Sequence, residues 1–117
     1  MSNSNPEQFE IKANRRPLVR QPLYHNGQKI YLEIQLDPET AELRVVKPWP
    51  EMKEGTELYS MIVEAGYDIT AQLDSYPDPM EALAVLKSRT MRRADGSPIT
   101  IRGAIIDYLN KDPYLDQ

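Results

Sequence analysis

The sequence predicts an α+β fold, an antiparallel meander of three strands, with room for a fourth, whose inner face is covered by two or three short helices. Three observations carry this. Asn26-Gly27 is the dipeptide favoured by a two-residue hairpin turn, because both central positions need positive φ. Asp37-Pro38-Glu39-Thr40 supplies a second turn, and from Thr56 onward apolar residues recur at helical rather than strand spacing.

The first turn sets a register in which His25 faces Gln28, Leu23 faces Ile30, Gln21 faces Leu32, Arg20 faces Glu33 and Val19 faces Ile34. A four-residue second turn would place Leu36 opposite Ala41, Ile34 opposite Leu43, Glu33 opposite Arg44 and Tyr31 opposite Val46. The expected inner face then carries Val19, Leu23, Ile30, Leu32, Ile34, Leu36, Leu43 and Val45. Tyr31, Val46 and a charged triplet of Arg20, Glu33 and Arg44 fall outside. Pro22 cannot donate a ladder hydrogen bond, so the first strand is an edge. Lys47-Pro48-Trp49-Pro50 is expected to leave the sheet, with Trp49 covering one end of the core.

Leu58, Met61, Ile62 and Ala65 mark a helix capped by Thr56 and closed by Gly66 at C′. Residues 67–73 alternate as a half-buried strand does, although Ile69, Leu73 and Tyr76 also lie four and three apart. Asp78 with Glu81 forms a capping box, Pro79 occupies the first helical position, and this helix is expected to reach about Arg92. A last helix begins at Ser97 or Thr100 and buries Ile101, Ile105, Ile106 and Leu109 before Asn110-Lys111-Asp112-Pro113 ends it. The organisation expected is one domain over 17–112. A flexible tail covers 1–16, with Phe9 and Ile11 as its only candidate anchors, and a short tail covers 113–117.

At 117 residues, 40% hydrophobic and 27% charged, the chain is sized for one packed core. It has no cysteine, which excludes disulfides and thiolate chemistry and suits a reducing compartment. No apolar run would span a bilayer, so a cytoplasmic location without membrane contact is expected. The net charge of -4 is unevenly spread: residues 51–81 hold eight acidic side chains against Lys53, and residues 87–102 hold Lys87, Arg89, Arg92, Arg93 and Arg102 against Asp95.

The chemistry legible in the sequence points away from catalysis. His25, the single histidine, sits beside a turn as a solvated side chain, and no nucleophile-base arrangement can be assembled around it. Neither a metal nor a cofactor is expected, since metal-ligand spacings and phosphate-cradling glycine loops are missing. Carboxylate pairs such as Glu51 with Glu54, or Asp74 with Asp78, carry almost no specificity. Two surfaces remain as candidates. Arg89, Arg92, Arg93 and Arg102 form a candidate anion-binding cluster, which pairing with Glu54, Glu57 and Glu64 would make structural instead. Tyr31, Glu33, Arg44, Val46 and Trp49 form a candidate protein-interaction surface. The expected function is a small non-catalytic binding or regulatory module acting through protein contacts, self-association included. The alternative is a binder of nucleic acid or of a phosphate-bearing ligand through the arginines, and a small carboxylate enzyme ranks third.

Overall fold

In a computed structural model, residues 18–111 are described. The expected tails, with Phe9 and Ile11, lie outside them. Strands β1 (Leu18–His25), β2 (Gln28–Leu36) and β3 (Leu43–Pro50) form one antiparallel sheet in the order β1-β2-β3. Helices α1 (Glu57–Asp74), α2 (Pro79–Ser88) and α3 (Ile101–Asn110) follow. The fold is α+β, as the sequence predicts, with three strands and three helices among the described residues.

The β1–β2 register is the predicted one at every pair from Val19↔Ile34 to His25↔Gln28. Asn26 and Gly27 take φ of 50° and 78°, as their turn requires. Ile30, Leu32 and Ile34 are completely buried. Each such side chain contributes about 1.5–3 kcal/mol, against roughly 0–1 kcal/mol for an exposed ion pair, so the inner face fixes the register.

The second hairpin departs from expectation. Its loop runs from Asp37 to Glu42: the Asp37 amide donates to the Glu42 carbonyl at 2.7 Å and the Ala41 amide to the Asp37 carbonyl at 2.9 Å. Ala41 enters the left-handed region at φ 61° to close it. Leu36 therefore faces Leu43 rather than Ala41, a shift of two residues. A bulge at Arg44 adds one more, so that Ile34 faces Val46 and Glu33 faces Lys47. A total shift of three is odd, and an odd shift exchanges the faces. Val46 is buried where Val45 was expected, Val45 turns to the outer face, and Glu33 does not oppose Arg44.

Nor does the chain leave the sheet at Lys47, since β3 pairs with β2 as far as Pro50. The Val46 amide and carbonyl point away from β2, where they meet the Thr70 hydroxyl at 3.0 and 3.2 Å. Alternate residues direct their backbone groups to the same edge, so the missing amides of Pro48 and Pro50 fall on the side away from β2 and cost the ladder no donor. Trp49 consequently lies on the outer face beside Tyr31, not over the end of the core.

The first helix does not stop at Gly66, and residues 67–73 are its continuation rather than a strand. Ile62, Ala65, Ile69 and Leu73 form one buried stripe, and Thr56 caps it by accepting from the Tyr59 amide at 3.1 Å. A glycine is required at this mid-helix position because a Cβ there would collide with Pro48 Cδ. Asp78 caps α2 through the Met80 amide at 3.0 Å. This helix ends at Ser88, short of Arg92, because residues 91–99 turn back on themselves around Gly96. The Arg93 amide donates to Ser97 and the Ile99 amide to Met91, at 2.8 and 3.0 Å. Thr100 caps α3, whose Ile101, Ile105, Ile106 and Leu109 are buried as predicted.

The Gly66 contact has an opposite sign from ordinary helix behaviour. Replacing an interior glycine by alanine normally gains up to about 1 kcal/mol. Here Gly66→Ala is expected to lose roughly 1–3 kcal/mol through overpacking against Pro48. Urea unfolding of the two proteins checks it, and a stabilised variant would refute the close approach.

Candidate functional site

Alternation along three strands brings Arg20, Tyr24, Lys29, Tyr31, Glu33, Lys47 and Trp49 to the outer face of the sheet. None of the described helices lies there, since all three contribute to the core on the inner face. Tyr24 and Trp49 remain 66% and 43% exposed. Between Arg20, Tyr31 and Trp49 the surface dips into a shallow depression of about 360 Å³.

Glu33 is the centre of this face and is only 6% exposed, which is exceptional for a carboxylate on the side of a sheet away from the core. Its Oε1 accepts from Arg20 Nη2 at 2.9 Å and from the Trp49 indole Nε1 at 3.2 Å, while Oε2 accepts from Gln35 Nε2 at 3.1 Å. Burial alone would raise the Glu33 pKa. The hydrogen bonds from Arg20, Gln35 and Trp49 outweigh it and hold the group below its ordinary value of 4.5. A carboxylate with both oxygens engaged and a depressed pKa is a poor proton acceptor. What it does is fix the Trp49 ring and the Arg20 guanidinium. The exposed cations then sit on aromatics: Lys29 Nζ lies 4.8 Å from the Tyr31 ring centre, and Lys47 Nζ 5.0 Å from that of Trp49.

Of the residues singled out in the sequence as an interaction surface, Tyr31, Glu33 and Trp49 are together on this face. Val46 is in the core, and Arg44 is spent at the bulge, with Nε 3.5 Å from Asp37 and Nη2 3.3 Å from Glu42. Tyr24, Lys29 and Lys47 were missed as site residues. The first hairpin register already places Tyr24 opposite Lys29, whereas Lys47 emerges only with the shifted register of β3.

The arginines fare differently. With α2 ending at Ser88, Arg92 and Arg93 leave the helix. Arg92 forms a two-pronged bond to Asp107, both distances 2.8 Å, and holds that carboxyl below its ordinary pKa. Arg93 donates to the Pro98 carbonyl at 3.1 Å and to Asn26 Oδ1 at 3.4 Å. Arg89 is exposed at the end of α2, and Arg102 lines a groove of about 450 Å³ formed by the β1–β2 tip, α1 and residues 99–102. The expected pairing with Glu54, Glu57 and Glu64 is not made. His25 is not a free turn side chain either: its Nε2 meets the Ile99 carbonyl at 3.1 Å, an arrangement in which the ring nitrogen donates.

Glu51 lies 3.8 Å from Lys29, Asp78 is occupied as a cap, and Glu54 and Asp74 are exposed. No group of three or more histidine, cysteine or acidic residues is placed to hold a metal ion among the described residues. No helix among them is long and apolar enough to cross a membrane. Compared with known proteins, the chain matches no family model, no curated sequence and no solved structure.

Two outcomes follow from these bonds. A depressed carboxylate contributes stability that is fully present above its unfolded pKa and is lost as pH falls through the folded value. Glu33→Gln should therefore cost about 1.5–3 kcal/mol at pH 7, and the difference from wild type should shrink below the ordinary glutamate value of 4.5. Chemical unfolding at pH 7 and pH 3 measures it, and a loss independent of pH would contradict an ionised Glu33. Arg92→Ala should lower stability measurably, because it removes the two-pronged bond to Asp107. Arg89→Ala should change nothing measurable in the same assay.

Proposed function

We propose that the chain is a non-catalytic binding module whose working surface is the outer face of the sheet. Its partner is a protein surface that presents apolar side chains and carboxylates. One observation carries the reading: the single tryptophan of the chain is exposed on a strand, yet its indole is fixed by a bond to a buried carboxylate. Tryptophan and arginine are the residues that most often dominate interface energy, and fixing them beforehand lowers the ordering cost of association. The charge of the face supports the same partner. Arg20, Lys29 and Lys47 reach it, and its central carboxylate is withdrawn by burial, while the chain as a whole carries -4. A regulatory or accessory role in the cytoplasm belongs to the same proposal, supported by a chain without cysteine.

A second reading, single-stranded nucleic acid, is favoured by exposed aromatics among cations, the combination that stacks bases and tracks phosphates. It is the weaker one because Lys29 and Lys47 lie over the rings of Tyr31 and Trp49 that bases would have to occupy.

The test uses Trp49 as its own reporter. Proteins retained from a cell extract by the wild type and lost by a folded Trp49→Ala/Lys47→Glu variant are purified and titrated against the wild type. The expected result is saturable quenching or shift of Trp49 emission in the wild type, and the tryptophan-free double variant, added as a competitor, should displace it at least about 30-fold more weakly, as for loss of a 2 kcal/mol hot spot. An oligothymidine that gives the same response, weakening steeply with salt, would establish the second reading. If neither probe perturbs Trp49, the outer face is not a binding surface.

A further inference from the structure

The groove between the β1–β2 tip, α1 and residues 99–102 carries chemistry opposite to that of the outer sheet face. Its floor is apolar, with Met61 and Ile99 left 53% and 43% exposed. On its α1 wall stand Glu64 and Asp68, one turn apart, and neither forms an ion pair with any described residue. Such a groove suits a surface that brings apolar or aromatic side chains together with cations. The outer face near the hairpin tip is such a surface, with Tyr24, Lys29 and Tyr31.

The two surfaces share one ridge. His25 and Gln28 line the groove, while the adjoining residues Tyr24 and Lys29 project to the outer face, because successive strand residues point to opposite sides. We propose that two copies of this chain clasp each other about a two-fold axis at this ridge, the outer face of each seated on the groove of the other. The proposal rests on the reading of the outer face as a protein-binding surface and names its occupant. Two ridges laid side by side in opposite directions bring Lys29 of each copy to Glu64 and Asp68 of the other. Arg102, on the far wall, meets Glu51, the carboxylate beside Lys29. Both contacts form at once, so the assembly closes at two copies instead of growing. The ridge is also held for the purpose: its turn is pinned to residues 91–99 by His25 on the Ile99 carbonyl and by Arg93 on Asn26.

Sedimentation velocity of the full chain, with circular dichroism to confirm folding, tests the clasp through a charge exchange. Wild type should dimerise, more weakly at high salt. Lys29→Glu and Glu64→Lys should each weaken the dimer at least tenfold, since each places like charges at both contacts. An equimolar mixture of the two variants should recover a heterodimer, because a two-fold pairing sets altered against altered and native against native. The double variant should dimerise alone. A wild type that stays monomeric, a dimer indifferent to the single reversals, a mixture that fails to recover, or growth beyond two copies would each overturn the proposal. A monomer whose Trp49 still responds to another purified protein would remove the second copy as occupant and leave the binding face standing.

Discussion

Thr70 Oγ1 accepts the Val46 amide and donates to the Val46 carbonyl, and one turn earlier on the same helix Gly66 lies against Pro48. This seam between α1 and the free edge of β3 is the constraint on which the rest depends. It satisfies backbone groups that an edge strand would otherwise present to other chains, and the two prolines remove the remaining donors along that side. With these donors satisfied or removed, that edge is poorly suited to β-addition, and the outer face is the surface on which the proposed binding rests. The seam also locks the register of β3, since sliding by one residue would drive Val46 outward and leave Thr70 without its pair of bonds.

How much of this could be read from the sequence depended on whether a local residue type announces the geometry. Asn26-Gly27 does, because positive φ at consecutive positions is costly for most other residues, and every pair of the first hairpin followed. Ala41 does not: nothing in an alanine signals a left-handed conformation, and nothing in Arg44 signals a bulge. Two small irregularities, one even and one odd, were enough to exchange the faces of β3. Gly66 misled for a related reason. A glycine near the end of an apolar stripe can serve as a C′ residue or permit close approach, and only the position of Pro48 decides. Nothing in the sequence signals what Arg92 pairs with. Arg92 and Asp107 are brought together by the turn at 91–99 and by α3, and no spacing rule predicts a bond between them.

Glu33 shows what the shifted register accomplishes. An ion pair buried with a surplus of hydrogen bonds is weak evidence for stability, because desolvation offsets much of the attraction. Here three donors on three different side chains converge on one carboxylate. That arrangement ties β1, β2 and β3 together on the side of the sheet away from the core. Gln35 and Arg20 come from the predicted register, but Trp49 arrives only because Glu33 faces Lys47 and not Arg44.

A purely solvated sheet face offers no reason for that convergence. A tryptophan free to rotate would shield its indole against neighbouring side chains, and a glutamate there would remain in water. Holding Trp49 exposed instead costs side-chain entropy and leaves apolar ring surface in water, both of which lower the stability of the isolated chain. Natural sequences depart from local stability chiefly where a site requires it. The charges point the same way. Pairs that serve the fold, Arg92 with Asp107 and Arg44 with Asp37, are consumed within a few ångströms. Lys47 on the sheet and Glu64 with Asp68 on α1 form no ion pair among the described residues, and they stand on opposite layers with opposite signs. Folding cannot bring two opposite faces of the described domain together, so these charges find no complement among residues 18–111, and both faces keep their charge available for the proposed contacts.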